Sequence, residues 1–176
     1  EQLQSLNVQY ALIGHSERRR LFKEEEQTIK DKIKKAYHSH IRPIYFIGES
    51  FEQRQYNLTS ITLEKQLSHI IDRVPDYKRE KMIIVYEPIW AIGSGKTPTI
   101  EEISKSIRII KEILLTKYNI DLPILYGGSI NEGNIDELIT INNLDGYVLG
   151  ESSKDINNVI AIYEKIMKKS NRQNNT

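Results

Sequence analysis

The stretch Met82–Thr99, MIIVYEPIWAIGSGKTPT, decides how the chain is to be folded. Its first five residues, Met82–Tyr86, form a short and continuously apolar run. Such a run reads as a strand buried on both faces, as in a parallel sheet. A single carboxylate, Glu87, ends it, and Pro88, Ile89 and Trp90 lead into two glycines and a lysine. Four more runs share this character: Tyr10–Gly14, Ile44–Gly48, Pro123–Tyr126 and Gly146–Leu149. Helical-period stretches separate and follow them, at Lys23–Ser39, Ser60–Ile71, Ile100–Tyr118, Asn134–Thr140 and Ile156–Lys168. In the first, Thr28, Ile29, Ile33, Ala36 and Tyr37 keep helical spacing, and the surrounding charges form a solvated opposite face. Thr99, Asn134 and Asp155 sit where side-chain caps belong. Strand alternating with helix means βα units with right-handed crossovers around a parallel sheet. The expectation is one α/β domain over residues 1–168 and a frayed polar tail over 169–176.

Composition narrows the function. The 176 residues are 39% hydrophobic and 28% charged with net charge +1, which gives no basic excess for nucleic acid. Cysteine is absent, so disulfides, thiolate chemistry and cysteine-built zinc sites are excluded, and a reducing compartment fits. No apolar run approaches the roughly 20 residues of a membrane span. The chain starts at Glu1 without a signal-peptide pattern, and the start reads as the middle of something longer.

Each strand is followed by a distinctive cluster. GHSERRR carries His15, Ser16, Glu17, Arg18 and Arg19, and GES carries Glu49. Glu87, Pro88 and Trp90 follow the third strand, YGGS (Tyr126–Ser129) ends the fourth, and GESS (Gly150–Ser153) follows the last. Function in parallel α/β folds collects at strand C-terminal ends. A lone histidine or glutamate there is more often a structural group than a catalytic one, so the set matters more than any member. The GSGKT segment is not a nucleotide phosphate loop, because the glycine required five residues before Gly95-Lys96 is replaced by Trp90. Its glycines read as a mobile loop with inward N–H groups, and the Gly-rich turns before helices read as anion sites.

YALIGHSERR, YEPIWAIGSGKT, LYGGSI and DGYVLGESS stand in this order from Tyr10 nearly to Lys168, and together they resemble triosephosphate isomerase. The resemblance implies a TIM (β/α)8 barrel, here an incomplete portion holding the fourth to eighth βα units. It implies interconversion of dihydroxyacetone phosphate and glyceraldehyde 3-phosphate, in glycolysis and gluconeogenesis, without cofactor or metal. Glu87 matches the catalytic base, His15 the neutral imidazole that polarises the carbonyl, and Glu17 a carboxylate that orients polar partners. Pro88 to Thr97, including Trp90 and Lys96, matches the lid. Glu49 matches the acceptor of the indole N–H when the lid is shut, and Tyr126 and Ser129 the latch. Backbone groups of Gly93, Ser129, Gly150 and Glu151 match the phosphate cradle.

Three residues depart from the family pattern. Glu151 stands where many relatives have glycine, and its carboxylate is expected to turn outward. Pro98 stands where an alanine N–H commonly meets the latch tyrosine, and proline has no N–H. Phe46 replaces a cysteine, a packing change in a buried strand. The first-strand asparagine and lysine of the family have no counterpart here, nor does the third βα loop that makes most of the dimer contact. A five-strand remnant is therefore expected to be poorly stable and inactive alone, as a truncated piece of a longer enzyme. The full-length partner set would be a triose phosphate and a second subunit, with no nucleic acid or membrane. The compartment is expected to be the cytoplasm, or an organelle such as a plastid. The competing reading is a non-catalytic barrel relic with a structural or interaction role.

Overall fold

The computed structural model describes residues 2–79, 81–92 and 96–173. Among these, the elements run α1 (Gln2–Ser5), β1 (Tyr10–Ile13), α2 (Ser16–Leu21), α3 (Glu26–His38), β2 (Arg42–Ile47), α4 (Phe51–Gln55), α5 (Thr59–Ile71), α6 (Asp76–Arg79), β3 (Ile83–Tyr86), α7 (Ile100–Tyr118), β4 (Ile124–Tyr126), α8 (Ile135–Leu138), β5 (Gly146–Tyr147) and α9 (Ile156–Gln173). Single 3₁₀ turns lie at Ile89–Ala91 and Glu151–Lys154. The strands make one sheet in the order β1-β2-β3-β4-β5, with every neighbouring pair parallel.

Alternation along the strands gives the sheet two different faces. Ile13, Tyr45, Ile47, Ile84, Tyr86, Ile124 and Tyr126 are buried in one core with the helices. The helices meet it through stripes three to four residues apart: Ile29, Ile33, Ala36 and Tyr37 on α3, Leu63, Leu67 and Ile70 on α5, and Ile103, Ile107, Ile110 and Leu114 on α7. Each fully buried Leu or Ile contributes about 1.5–3 kcal/mol. On the other face Phe46 and Val85 are buried, whereas Leu12 is exposed and Ile44, Ile83 and Leu125 are half-buried. Burial on both faces, expected from the apolar runs, therefore holds at the centre of the sheet and fails at its β1 edge.

Local chemistry sets the element ends. Gly14 has φ +83°, a conformation that favours glycine, so β1 stops at Ile13 and the chain turns toward His15. The first long helix begins at Glu26 rather than Lys23, because Lys23 has φ +53° and cannot join a right-handed helix. Thr99 and Glu102 form a reciprocal capping box at the start of α7, and the Asp155 carboxylate accepts from Asn157 N–H at 2.9 Å before α9. Asn134 does not cap α8; its side-chain oxygen accepts from Asn131 N–H instead, at 2.9 Å. The last helix passes Lys168 and runs to Gln173. Lys169 Nζ anchors that stretch on the Ile139 carbonyl at 2.7 Å, and no glycine or proline interrupts it.

Candidate active site

The sheet hydrogen bonds continue one residue beyond the central strands. Glu87 N–H donates to the Ile47 carbonyl at 2.8 Å, and Gly127 N–H donates to the Tyr86 carbonyl at 2.9 Å. Glu87 is thus held at the C-terminal rim between Gly48 and Gly127. The approach to Gly48 is so close that a Cβ there would stand 1.8 Å from the Glu87 carbonyl oxygen. Two residues after Val85, the Glu87 side chain falls on the Phe46–Val85 face.

There it meets the start of α2. His15 Nε2 lies 3.0 Å from Glu87 Oε1, Ser16 Oγ donates to Oε1 at 2.8 Å, and Ser16 N–H donates to Oε2 at 2.9 Å. His15 Nδ1 accepts from Glu17 N–H at 3.4 Å, which leaves the imidazole proton on Nε2, facing the carboxylate. The Phe46 ring packs edge-on against the imidazole, with centroids 5.1 Å apart. Glu87 is 2% exposed, and burial raises its pKa above the ordinary value; the neighbouring His15 and the two Ser16 hydrogen bonds oppose that rise.

A second cluster gathers around Trp90. Glu49 is fully buried, and its Oε1 accepts from Tyr86 Oη at 3.1 Å and from Arg54 at 3.0 Å. Burial raises the Glu49 pKa, and the Arg54 contact works against it. Trp90 is buried beside it, with its backbone N–H on the Glu49 carbonyl at 3.3 Å. Among the described residues, Glu49 Oε2 and Trp90 Nε1 are both buried without a hydrogen-bond partner.

The remaining candidates line the rim on the β4–β5 side. Tyr126 is buried, and its hydroxyl lies so close to Gly128 that a Cβ there would stand 2.2 Å from the oxygen. Ser129 is exposed, and its carbonyl accepts from Asn134 Nδ2 at 3.0 Å. Ser152 Oγ donates to the Ile130 carbonyl, which ties the loop after β4 to the turn opened by Gly150. A Cβ at Gly150 would meet nothing within 4 Å. Glu151 faces solvent and pairs with Lys154 through both carboxylate oxygens at 2.8 Å, the outward orientation expected for it. Lys96 Nζ sits 4.2 Å over the Phe51 ring, Thr97 is exposed and Pro98 is buried. Gly93 lies outside the described residues.

The family model described as triosephosphate isomerase matches residues 1–166. The chain belongs to the triosephosphate isomerase family. It is 39% identical over 155 residues to the triosephosphate isomerase of Alkaliphilus oremlandii, an alignment covering 86% of this chain and 62% of that protein. The enzyme of Clostridium tetani is 37% identical over 164 residues, covering 91% and 64%. That of Mycoplasmoides gallisepticum is 38% identical over 168 residues, covering 93% and 67%. The chain thus spans a little under two thirds of the length of the first two relatives. Its parallel sheet and intervening helices are part of the family's TIM barrel.

Glu17 is exposed at the first turn of α2, and its backbone N–H donates to His15 Nδ1. Two residues gain importance. Ser16 supplies two of the three contacts to Glu87, a role that its place next to His15 hints at. Arg54 joins Glu49 to Trp90, and its signal in the sequence was only a cation one helical turn beyond GES.

Proposed function

We propose that the complete protein is a triose-phosphate isomerase, interconverting dihydroxyacetone phosphate and D-glyceraldehyde 3-phosphate. The observation that carries this is the 3.0 Å pairing of His15 Nε2 with a buried Glu87, at the loop ends after β1 and β3 of one parallel sheet. Glu87 takes a proton from the carbon next to the substrate carbonyl, while His15 Nε2–H stabilises the negative charge growing on the oxygen. The hydroxyl proton passes from one oxygen to the other by way of His15 Nε2, and Glu87 returns its proton to the adjacent carbon, so atoms and charge balance through an enediol. In the described state both Glu87 oxygens accept from Ser16. A carboxylate so occupied is a weaker base, so catalysis requires it to leave Ser16 for the substrate. Lid closure over the pair removes water, raises the basicity of Glu87 and protects the enediol.

The phosphate would lie against the tied loops at Ser129 and Gly150. Glu151 contributes only backbone there, because its side chain turns to Lys154. The molecule would act as a homodimer in the cytoplasm, in glycolysis and gluconeogenesis. In the complete protein, Glu87→Gln should lower turnover about 10²–10⁴-fold, the usual worth of a positioned general base. Binding of a phosphate-bearing inhibitor should change little. Unchanged turnover would refute the assignment.

A further inference from the structure

Arg54 takes no part in the proton transfer, yet it touches three parts of the lid apparatus. One guanidinium nitrogen is 3.0 Å from Glu49 Oε1, and another is 2.8 Å from Glu102 Oε1. The guanidinium carbon lies 4.4 Å from the centre of the Trp90 ring. Trp90 follows the lid's first hinge at Pro88. Glu102 closes the capping box with Thr99, where the chain leaves the lid for α7. A planar fork with a flat face can serve all three partners at once, which a lysine ammonium cannot.

We infer that Arg54 is a positioning residue that fixes both ends of the lid and keeps Glu49 charged, with one oxygen free for the Trp90 indole N–H. The inference rests on reading Pro88–Thr97 as the lid. The groups facing the Glu49 carboxylate are Arg54 and the Tyr86 hydroxyl, at 3.0 and 3.1 Å, and Glu102 shares the same guanidinium. Without Arg54, Glu49 becomes a buried carboxylate beside a neutral phenol. It then holds its proton to higher pH. A proton on Oε2 turns that atom from an acceptor into a donor, and the indole N–H loses its destination. Among the described residues, Oε2 and Trp90 Nε1 are two of the buried side-chain atoms that lack a hydrogen-bond partner.

Trp90 is the sole tryptophan of this sequence, so its fluorescence reads this cluster in the complete protein once any tryptophan outside these residues is replaced by phenylalanine. Arg54→Met keeps an unbranched side chain and removes the charge. It should raise the pH midpoint of the Trp90 emission change by about 1–3 units, the usual effect of losing an adjacent opposite charge. Acrylamide quenching of the indole should increase. Arg54→Lys should hold the midpoint within about one unit, since the charge remains, but raise quenching, since the flat stack and the second arm are lost. Glu102→Gln keeps a capping-box residue and should raise quenching while leaving the midpoint unmoved. A wild-type midpoint in Arg54→Met overturns the inference. So does wild-type quenching in both Arg54→Lys and Glu102→Gln, and this pair carries the test if circular dichroism shows that Arg54→Met fails to fold. No readout depends on turnover, so failure here is separable from failure of the isomerase reading.

Discussion

Replacing Gly48 with alanine tests how the site is built. A Cβ at this position would stand 1.8 Å from the Glu87 carbonyl oxygen and 2.8 Å from its carbonyl carbon. Real contacts of this kind do not fall below 3.0 Å, so one backbone must move by more than 1 Å. Gly48 cannot yield easily, because Gln66 pins its N–H at 2.9 Å and its carbonyl at 3.0 Å. The movement falls on Glu87, whose N–H bond to Ile47 at 2.8 Å would stretch past hydrogen-bonding range. Overpacking of this kind costs about 1–3 kcal/mol. In a chain of this size that lowers Tm by about 2–12 °C. In the complete enzyme, a misplacement of about 1 Å at the base should lower turnover by about 10²-fold with a smaller change in KM. Thermal unfolding of Gly48→Ala followed by circular dichroism reads the first number, and steady-state kinetics the second. A variant with unchanged Tm and turnover would show that close strand approach does not position Glu87.

Two further outcomes are expected. Burial lifts the Glu87 pKa above its ordinary 4.5, so the folded state holds this proton more tightly than the unfolded state. Its contribution to stability is full below that value and is lost as pH rises through the folded pKa. Glu87→Gln should therefore lack this decline; chemical denaturation across the pH range checks it, and a wild-type-minus-variant difference independent of pH rejects it. For Glu151→Gly, the exposed pairing with Lys154 predicts a change of less than about fivefold in the Kd for inorganic phosphate, as measured by calorimetry. Tenfold tightening would mean that the carboxylate faces the anion.

The sequence revealed the strands and rim clusters because they are local. YALIG, IYFIG and MIIVY are short, apolar and rich in β-branched and aromatic residues, which reads as buried strand, and His15 and Glu87 stand directly after two of these runs. What acts through chain crossing was harder to see. Ser16 meets Glu87 across 71 residues of sequence, a separation no local pattern encodes. Arg54 lies on a five-residue helix, too short to carry a period, and its three partners come from three other segments. Exposure of Leu12 was hidden for the opposite reason: an apolar strand residue looks the same whether or not another strand covers it. Glu17 is named by resemblance alone, since nothing in its local pattern marks it out from the charges beside it.

The Phe46 ring beneath the rim has a chemical consequence beyond packing. It lies edge-on to His15 and 3.6 Å from where a Cβ of Gly127 would stand. A benzyl side chain cannot form a sulfenic acid, a mixed disulfide or a thioether adduct. The Phe46 face of this site is therefore inert to thiol-directed electrophiles.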